Sequence, residues 1–164
     1  MSGRYAARTE VPIAKTRAEI EELVERYGAA QYMSGYDATR AFIGFTMADR
    51  QVRFHLRLPD AAEKDFTTYR DGHGKERLRT ADAAQKQWEQ ACRSRWRALL
   101  LVIKAKLEAV EVGISTFESE FLANIVMPDG QLVGELVRPR IAHAYETGDM
   151  PALLPPPAHE GGAS

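Results

Sequence analysis

Cationic side chains alternate along one predicted strand, at a spacing that suits nucleic-acid binding. Arg53, His55 and Arg57 share one strand face, and two-residue spacing places neighbours about 7 Å apart. That separation is close to the phosphate repeat of a nucleic acid. Tyr32 and Tyr36 lie nearby in sequence and offer rings on which bases stack. The residues predict a phosphate-binding platform, and the alternative is an ordinary solvated sheet face.

A second line of positive charge lies on a long predicted helix, residues 80–113. At 100° per residue, its basic side chains fall within about 40° of one another. The alternative is a set of surface charges that pair with Glu89 and with the acidic part of the chain. Arg40 and Arg50 complete the candidate nucleic-acid site. The members of this helix ridge are Lys86, Arg93, Arg97 and Lys104.

The acidic residues offer a different chemistry. Residues 107–137 contain six carboxylates and no Lys or Arg. Glu108 and Glu111 are i, i+3 neighbours on a helix and could share a cation. Glu118 and Glu120 follow them, so a carboxylate-based enzyme is a third hypothesis. The alternative is a solvated acidic face that offsets the basic one.

Other site chemistries find little support in the residue spacing. The histidines are far apart, and no H-E-x-x-H or C-x-x-C spacing predicts a zinc site. Cys92, the single cysteine, lies on an apolar helix stripe, which indicates a small buried hydrophobe rather than a nucleophile. Residues 71–75 have the composition of a phosphate-binding loop but not its spacing. We therefore expect no catalytic residue, metal or cofactor.

The N-terminal half of the chain predicts a helix followed by a sheet. Thr16 and Glu19 form a T-x-x-E capping box before an apolar stripe that ends at Gly28. Alternating apolar residues then predict three strands in an antiparallel meander with one face buried and one face wet. The predicted strands are residues 31–34, 41–47 and 51–58.

The rest of the chain predicts helices separated by one long polar segment. Residues 60–79 are interpreted as a mobile loop, because Gly72 and Gly74 break any periodicity. A second box, Ser115 to Glu118, precedes a short helix, and a last helix spans residues 132–147 with Pro139 interrupting it. The core stripe of the long helix consists of Trp88, Cys92, Trp96, Leu99, Ile103, Leu107 and Val110.

These elements predict one α+β domain over residues 1–150. It contains an N-terminal helix, the three-stranded meander, the long helix packed on the sheet and a C-terminal helical hairpin. Residues 151–164 are rich in proline and predict a disordered tail. The polar start, residues 1–12, and the lack of a long apolar run predict a cytoplasmic protein without a membrane partner.

Two stretches resemble small uncharacterised proteins encoded by phages and prophages. They are residues 16–60, with RAEIEELVERYGA, and residues 96–155, with KAKLEAVE, FESEFLANIVMPDG and YETGDMPALLP. The resemblance implies an accessory protein of a mobile element, a class that often touches DNA or a host protein machine, and it brings no site residues with it. The helix–meander–helix order is also similar, as a fold, to the β-β-β-α unit of phage single-strand annealing proteins.

The leading hypothesis is a non-catalytic accessory protein that binds single-stranded or structured nucleic acid through the strand face and the helix ridge. The alternative is a protein–protein adaptor or inhibitor, with a homo-oligomer as one form of it. Its contact surface would be the acidic segment and the small-residue side of the long helix, beside which Leu101 projects. The small residues are Ala91, Ser94, Ala98, Ala105 and Ala109.

Overall fold

The computed structural model describes residues 12–37, 39–154 and 156. Residues 1–11 of the predicted domain, and residues 155 and 157–164 of the predicted tail, lie outside the described part. The α+β fold is confirmed, with a three-stranded antiparallel sheet of order β1-β2-β3. The elements are α1 (Ile13–Arg26), β1 (Gln31–Tyr36), β2 (Arg40–Met47), β3 (Arg50–Arg57), α2 (Lys64–Thr67), β4 (Thr68–Arg70), β5 (Glu76–Leu78), α3 (Ala81–Glu111), α4 (Phe117–Phe121), a 3-10 helix (Leu122–Asn124) and α5 (Val133–Thr147).

One face of the sheet is buried, as its alternating sequence predicts. Strand side chains alternate between two faces, so the odd-numbered apolar residues of β2 lie on the same face as the even-numbered ones of β3. The turn that joins these strands places Ala48 and Asp49 in the left-handed region, with φ of 51° and 58°. Such a two-residue turn matches the twist of an antiparallel hairpin. The buried residues are Ala41, Ile43, Phe45, Met47, Val52 and Phe54.

Helices α1 and α3 pack beside each other on this buried face. The predicted core stripe of α3 is confirmed from Cys92 to Leu107, whereas Trp88 and Val110 are half-buried. The indole Nε1–H of Trp88 donates to the carbonyl of Pro59 at 2.8 Å, which ties the start of α3 to the end of the sheet. The two helices therefore lie on one side of the sheet.

Both predicted capping boxes are misplaced. Helix α1 begins at Ile13, so Thr16 lies inside its first turn and is buried, and Glu19 forms an ion pair with Arg97 of α3. At α4 the capping residue is Thr116 rather than Ser115, and its hydroxyl accepts from the backbone N–H of Ser119 at 3.2 Å. Helix α1 therefore begins about one turn earlier than the first box predicts, and Glu19 of that box contacts α3 instead.

The interpretation of residues 60–79 as a loop is wrong. They form α2 and a hairpin of β4 with β5. Asp71 organises the turn by accepting the backbone N–H groups of His73 and Lys75, and it pairs with Arg77 at 3.1 Å. These bonds lower the pKa of Asp71, and the bond from Arg77 has the largest effect. The strands are three residues long and largely exposed, so they carry no alternation for a sequence pattern to detect.

The C-terminal segment passes beside β3 before α5 begins. The backbone N–H of Val126 donates to the carbonyl of Gln51 at 2.8 Å. Helix α5 continues through Pro139 rather than being interrupted by it, and it ends at Gly148 with φ of 78°. Its first turn lies close to the 3-10 helix, because a Cβ on Gly134 would stand 2.8 Å from the carbonyl oxygen of Ala123. Within the described residues, no helix is long and apolar enough to cross a membrane.

Candidate nucleic-acid interface

The face of the sheet opposite α1 and α3 is exposed at both of its edge strands, and we call it the open sheet face. Strand register fixes its membership, because directly paired residues of antiparallel strands point the same way. On β3 the outward positions are polar or charged, and on β1 Met33 is 62% exposed. The open sheet face consists of Gln31, Met33, Gly35, Arg40, Phe42, Gly44, Thr46, Gln51, Arg53, His55 and Arg57.

The centre of the open sheet face is a shallow depression of about 740 Å³. The ring of Phe42 forms part of its lining and lies against Gly35 of β1. A Cβ on Gly35 would stand 2.5 Å from Cε1 of that ring, so glycine is needed there for the ring to fit. The depression therefore has an apolar aromatic floor with polar side chains around it.

Two guanidinium groups on this face have no acidic partner in the part of the chain that the structure describes. Among the described residues, neither Arg53 nor Arg57 forms an ion pair with a carboxylate. The guanidinium of Arg53 is held in place because its Nη1 donates to the backbone carbonyl of Gly130 at 3.4 Å. His55 lies between them along β3, with Nδ1 3.9 Å from the carboxylate of Glu135. Both arginines therefore retain a charge that an anion can neutralise.

Arg40 lies directly opposite Arg57 and joins the same face. Its Nε pairs with Asp37 at 3.1 Å, at the turn between β1 and β2. Asp37 accepts hydrogen bonds from Thr39 and Arg40, and these hold its pKa well below the usual range. The bond from the backbone N–H of Thr39 has the largest effect. Asp37 is therefore ionised and fixes the turn that carries Arg40.

The two tyrosines of the predicted platform do not lie on the open sheet face, because the register places their rings on the other face. Tyr32 pairs with Phe45 and Tyr36 with Ala41, both of which face the helices. The hydroxyl of Tyr32 donates to the carbonyl of Arg17 at 3.4 Å. Arg50 also points away from the open sheet face, because it is two residues from the buried Val52 and side chains alternate along a strand. Its guanidinium lies 3.7 Å from the carboxylate of Glu118. Proximity in sequence did not reveal these directions.

The helix ridge does not extend the open sheet face, because α3 lies on the opposite side of the sheet. Arg97 is paired with Glu19, and the guanidinium of Arg93 donates to the side-chain oxygen of Gln90 at 2.7 Å. Lys86 and Lys104 are exposed. The prediction combined the strand face and the helix ridge into one site, whereas the fold places them on opposite sides of the sheet.

The acidic residues take separate partners instead of forming one site. Glu108 accepts from the hydroxyl of Tyr27 at 2.8 Å, and this bond is the main reason that the pKa of Tyr27 is raised. Glu118 is paired with Arg50, and Glu120 lies 3.6 Å from Lys106. No group of three or more possible metal ligands occurs among the described residues. Glu108 and Glu111, which could share a cation as helix neighbours, therefore have no third possible ligand beside them in the described part of the chain.

A second cavity, which we call the end pocket, lies where the start of α1, the first half of α3 and the end of the sheet meet. Its volume is about 650 Å³. Trp88, Trp96 and Tyr36 supply aromatic walls, and Arg17 and Arg93 supply charge. Cys92 also lines it, and burial raises the pKa of this thiol. Sequence patterns did not identify Arg17 as a site residue, because an arginine near the start of an amphipathic helix is usually a solvated surface residue.

Searches against protein-family models, curated proteins and solved structures found no match to this chain. The resemblance to phage-encoded proteins therefore stays a prediction, and the function has to be argued from the geometry of the residues.

Proposed function

We propose that the protein binds single-stranded or structured nucleic acid through the open sheet face. The observation that carries this proposal is that Arg53 and Arg57 lie on the open sheet face beside the aromatic floor formed by Phe42, and that neither forms an ion pair with a carboxylate of the described part of the chain. Positively charged side chains next to a partly exposed ring are the combination that binds phosphates and stacks bases.

The dimensions of the face favour one strand of nucleic acid. Three strands span about 10 Å across the sheet, at about 4.8 Å between neighbours. Along β3, two-residue spacing places cationic groups about 7 Å apart. Phosphates would contact Arg53 and Arg57, while a base stacks on Phe42. The amides of Gln31 and Gln51, at the rim of the depression, would face the base edges.

The deciding experiment is an electrophoretic mobility shift with the double variant Arg53→Glu, Arg57→Glu. Wild-type protein should shift a single-stranded oligonucleotide at low salt, and the variant should not. Thermal stability should barely change, because both side chains point away from the core. The salt dependence of wild-type binding should also be steep, since each phosphate contact on a single strand contributes a slope of about −0.7 in log K against log salt.

The matched control is the double variant Lys86→Glu, Lys104→Glu, which changes the net charge by the same amount on the helix ridge. It should bind like the wild-type protein. Equal loss in both variants would reduce the interaction to net charge alone. No shift with micromolar wild-type protein would contradict the proposal.

We propose contact between two copies of the chain as a second candidate function, favoured by exposed aliphatic side chains on the outer side of α3. Leu101 and Val102 are 40% and 45% exposed, and Ile114, just beyond the helix, is 80% exposed. The small side chains of Ala98 and Ala105 lie beside Leu101 by helical spacing. Among the described elements, α5 packs on the 3-10 helix rather than covering this side.

Ala98→Glu tests this contact. If two copies meet along this side of α3, light scattering should give a dimer mass for the wild-type protein and a monomer mass for the variant, because a buried glutamate without a partner opposes the contact. Lys104→Glu adds a glutamate on the helix ridge and should leave the mass unchanged. A monomer mass for the wild-type protein at high concentration would rule out this candidate.

A further inference from the structure

We infer that the end pocket receives a nucleobase of the strand that lies on the open sheet face, an inference that rests on the proposed function. The strand would pass around the β1–β2 turn, and one unpaired base would enter between the aromatic walls. The pocket thereby makes the site selective for single strands, because a base inside a duplex is not free to enter.

The first argument is continuity between the two cavities. A third depression, of about 660 Å³, lies at the strand ends beside the β1–β2 turn. It shares Tyr36 and Asp37 with the end pocket, and it shares Phe42 and His55 with the open sheet face. Arg57 lines this connecting depression. A phosphate backbone following it would stay beside positive charge between the two sites.

The second argument is the aromatic lining of the end pocket. Trp88 is half-buried and reaches the cavity with part of its ring, whereas Trp96 is 1% exposed and forms the wall beneath Arg17. The hydrogen bond from Trp88 to Pro59 fixes that ring in place. Tyr36 is 70% exposed at the mouth of the pocket. Fixed rings around a cavity of this size favour a flat heteroaromatic guest over a flexible aliphatic one.

The third argument is the charge at the pocket. The guanidinium of Arg17 lies over two rings, 5.4 Å from the Tyr36 centroid and 5.9 Å from the Trp96 centroid. It donates from Nη2 to the neutral hydroxyl of Ser34 at 2.7 Å. Among the described residues, neither Arg17 nor Arg93 forms an ion pair with a carboxylate.

The lining also contains two acidic residues, of which one is paired with a cation and the other accepts from a neutral amide. Asp37 is held by Thr39 and Arg40, and Glu89 accepts from the side-chain amide of Gln85 at 3.0 Å. The pocket therefore presents two cations to a phosphate that flanks the inserted base. Aromatic walls beside two guanidinium groups match the base and the phosphate of a nucleotide unit.

Tryptophan fluorescence tests the inference directly, because both tryptophans of the chain line the end pocket. A 15-residue oligothymidylate and an abasic strand of the same length are titrated into the full-length protein. The oligothymidylate should quench the fluorescence over the concentration range in which it shifts the protein on a gel. The abasic strand should bind more weakly and leave the fluorescence unchanged, since it offers phosphates but no base.

The pocket variant is Arg17→Gln with Arg93→Gln, and the comparison variant is Arg26→Gln at the exposed end of α1. The pocket variant should lose at least fivefold in affinity and most of the quenching, whereas Arg26→Gln should behave like the wild-type protein. A gel shift without quenching would overturn this inference and leave the proposed function standing. Equal quenching by the abasic strand would also overturn it. If the oligothymidylate gives neither a gel shift nor quenching, the inference and the proposed function are both overturned.

Discussion

Replacing Trp96 by alanine should lower the free energy of unfolding by about 3–5 kcal/mol. The side chain is 1% exposed and belongs to the core between α3, α1 and the sheet. Removing it leaves a large cavity that neighbouring residues fill only in part. Since domains of this size are typically stable by about 5–15 kcal/mol, the variant should be marginally folded. Urea denaturation followed by circular dichroism measures the loss.

Arg97→Ala is the matched control, because it changes the next residue on the same helix. Its ion pair with Glu19 is about two-thirds shielded from solvent, with side-chain exposures of 30% and 31%. Partly exposed pairs of this kind contribute about 1 kcal/mol or less. If Arg97→Ala destabilised the protein more than Trp96→Ala, the assignment of the faces of α3 would be wrong.

Phe121→Ala is the second change expected to cost about 3–5 kcal/mol. Its ring is fully buried and meets Phe45 and Phe54 edge-on, with centroids 5.9 Å and 6.2 Å away. Phe117 packs against it at 4.8 Å, and Lys106 Nζ lies 5.8 Å from its centroid. This one side chain joins α4 to β2, β3 and α3. Thermal and urea unfolding should both show the loss.

Leu122→Ala provides the comparison, because Leu122 follows directly in the chain and is 54% exposed. It should cost less than about 1 kcal/mol, as most exposed substitutions do. The ring of Phe121 also anchors the segment that runs beside the open sheet face. Similar losses for the two variants would contradict the packing described around Phe121.

Local periodicity determined most of the fold. The apolar spacing of α3 identified its buried face from Cys92 to Leu107, because a helix repeats every 3.6 residues whatever packs against it. The alternation of Val52 and Phe54 with Arg53 and His55 likewise identified the two faces of β3. Both patterns are properties of a single element, so the sequence contains them in full.

Only the tertiary structure decided which faces meet. The direction of Tyr36 depends on its pairing with Ala41, and the isolation of the helix ridge depends on α3 packing on the other side of the sheet. Thr16 lies inside a helix rather than capping it, because the contact of α1 with α3 outweighs a weak local preference. The end pocket joins side chains from α1, α3 and the sheet, and its existence depends on contacts between residues about 80 positions apart.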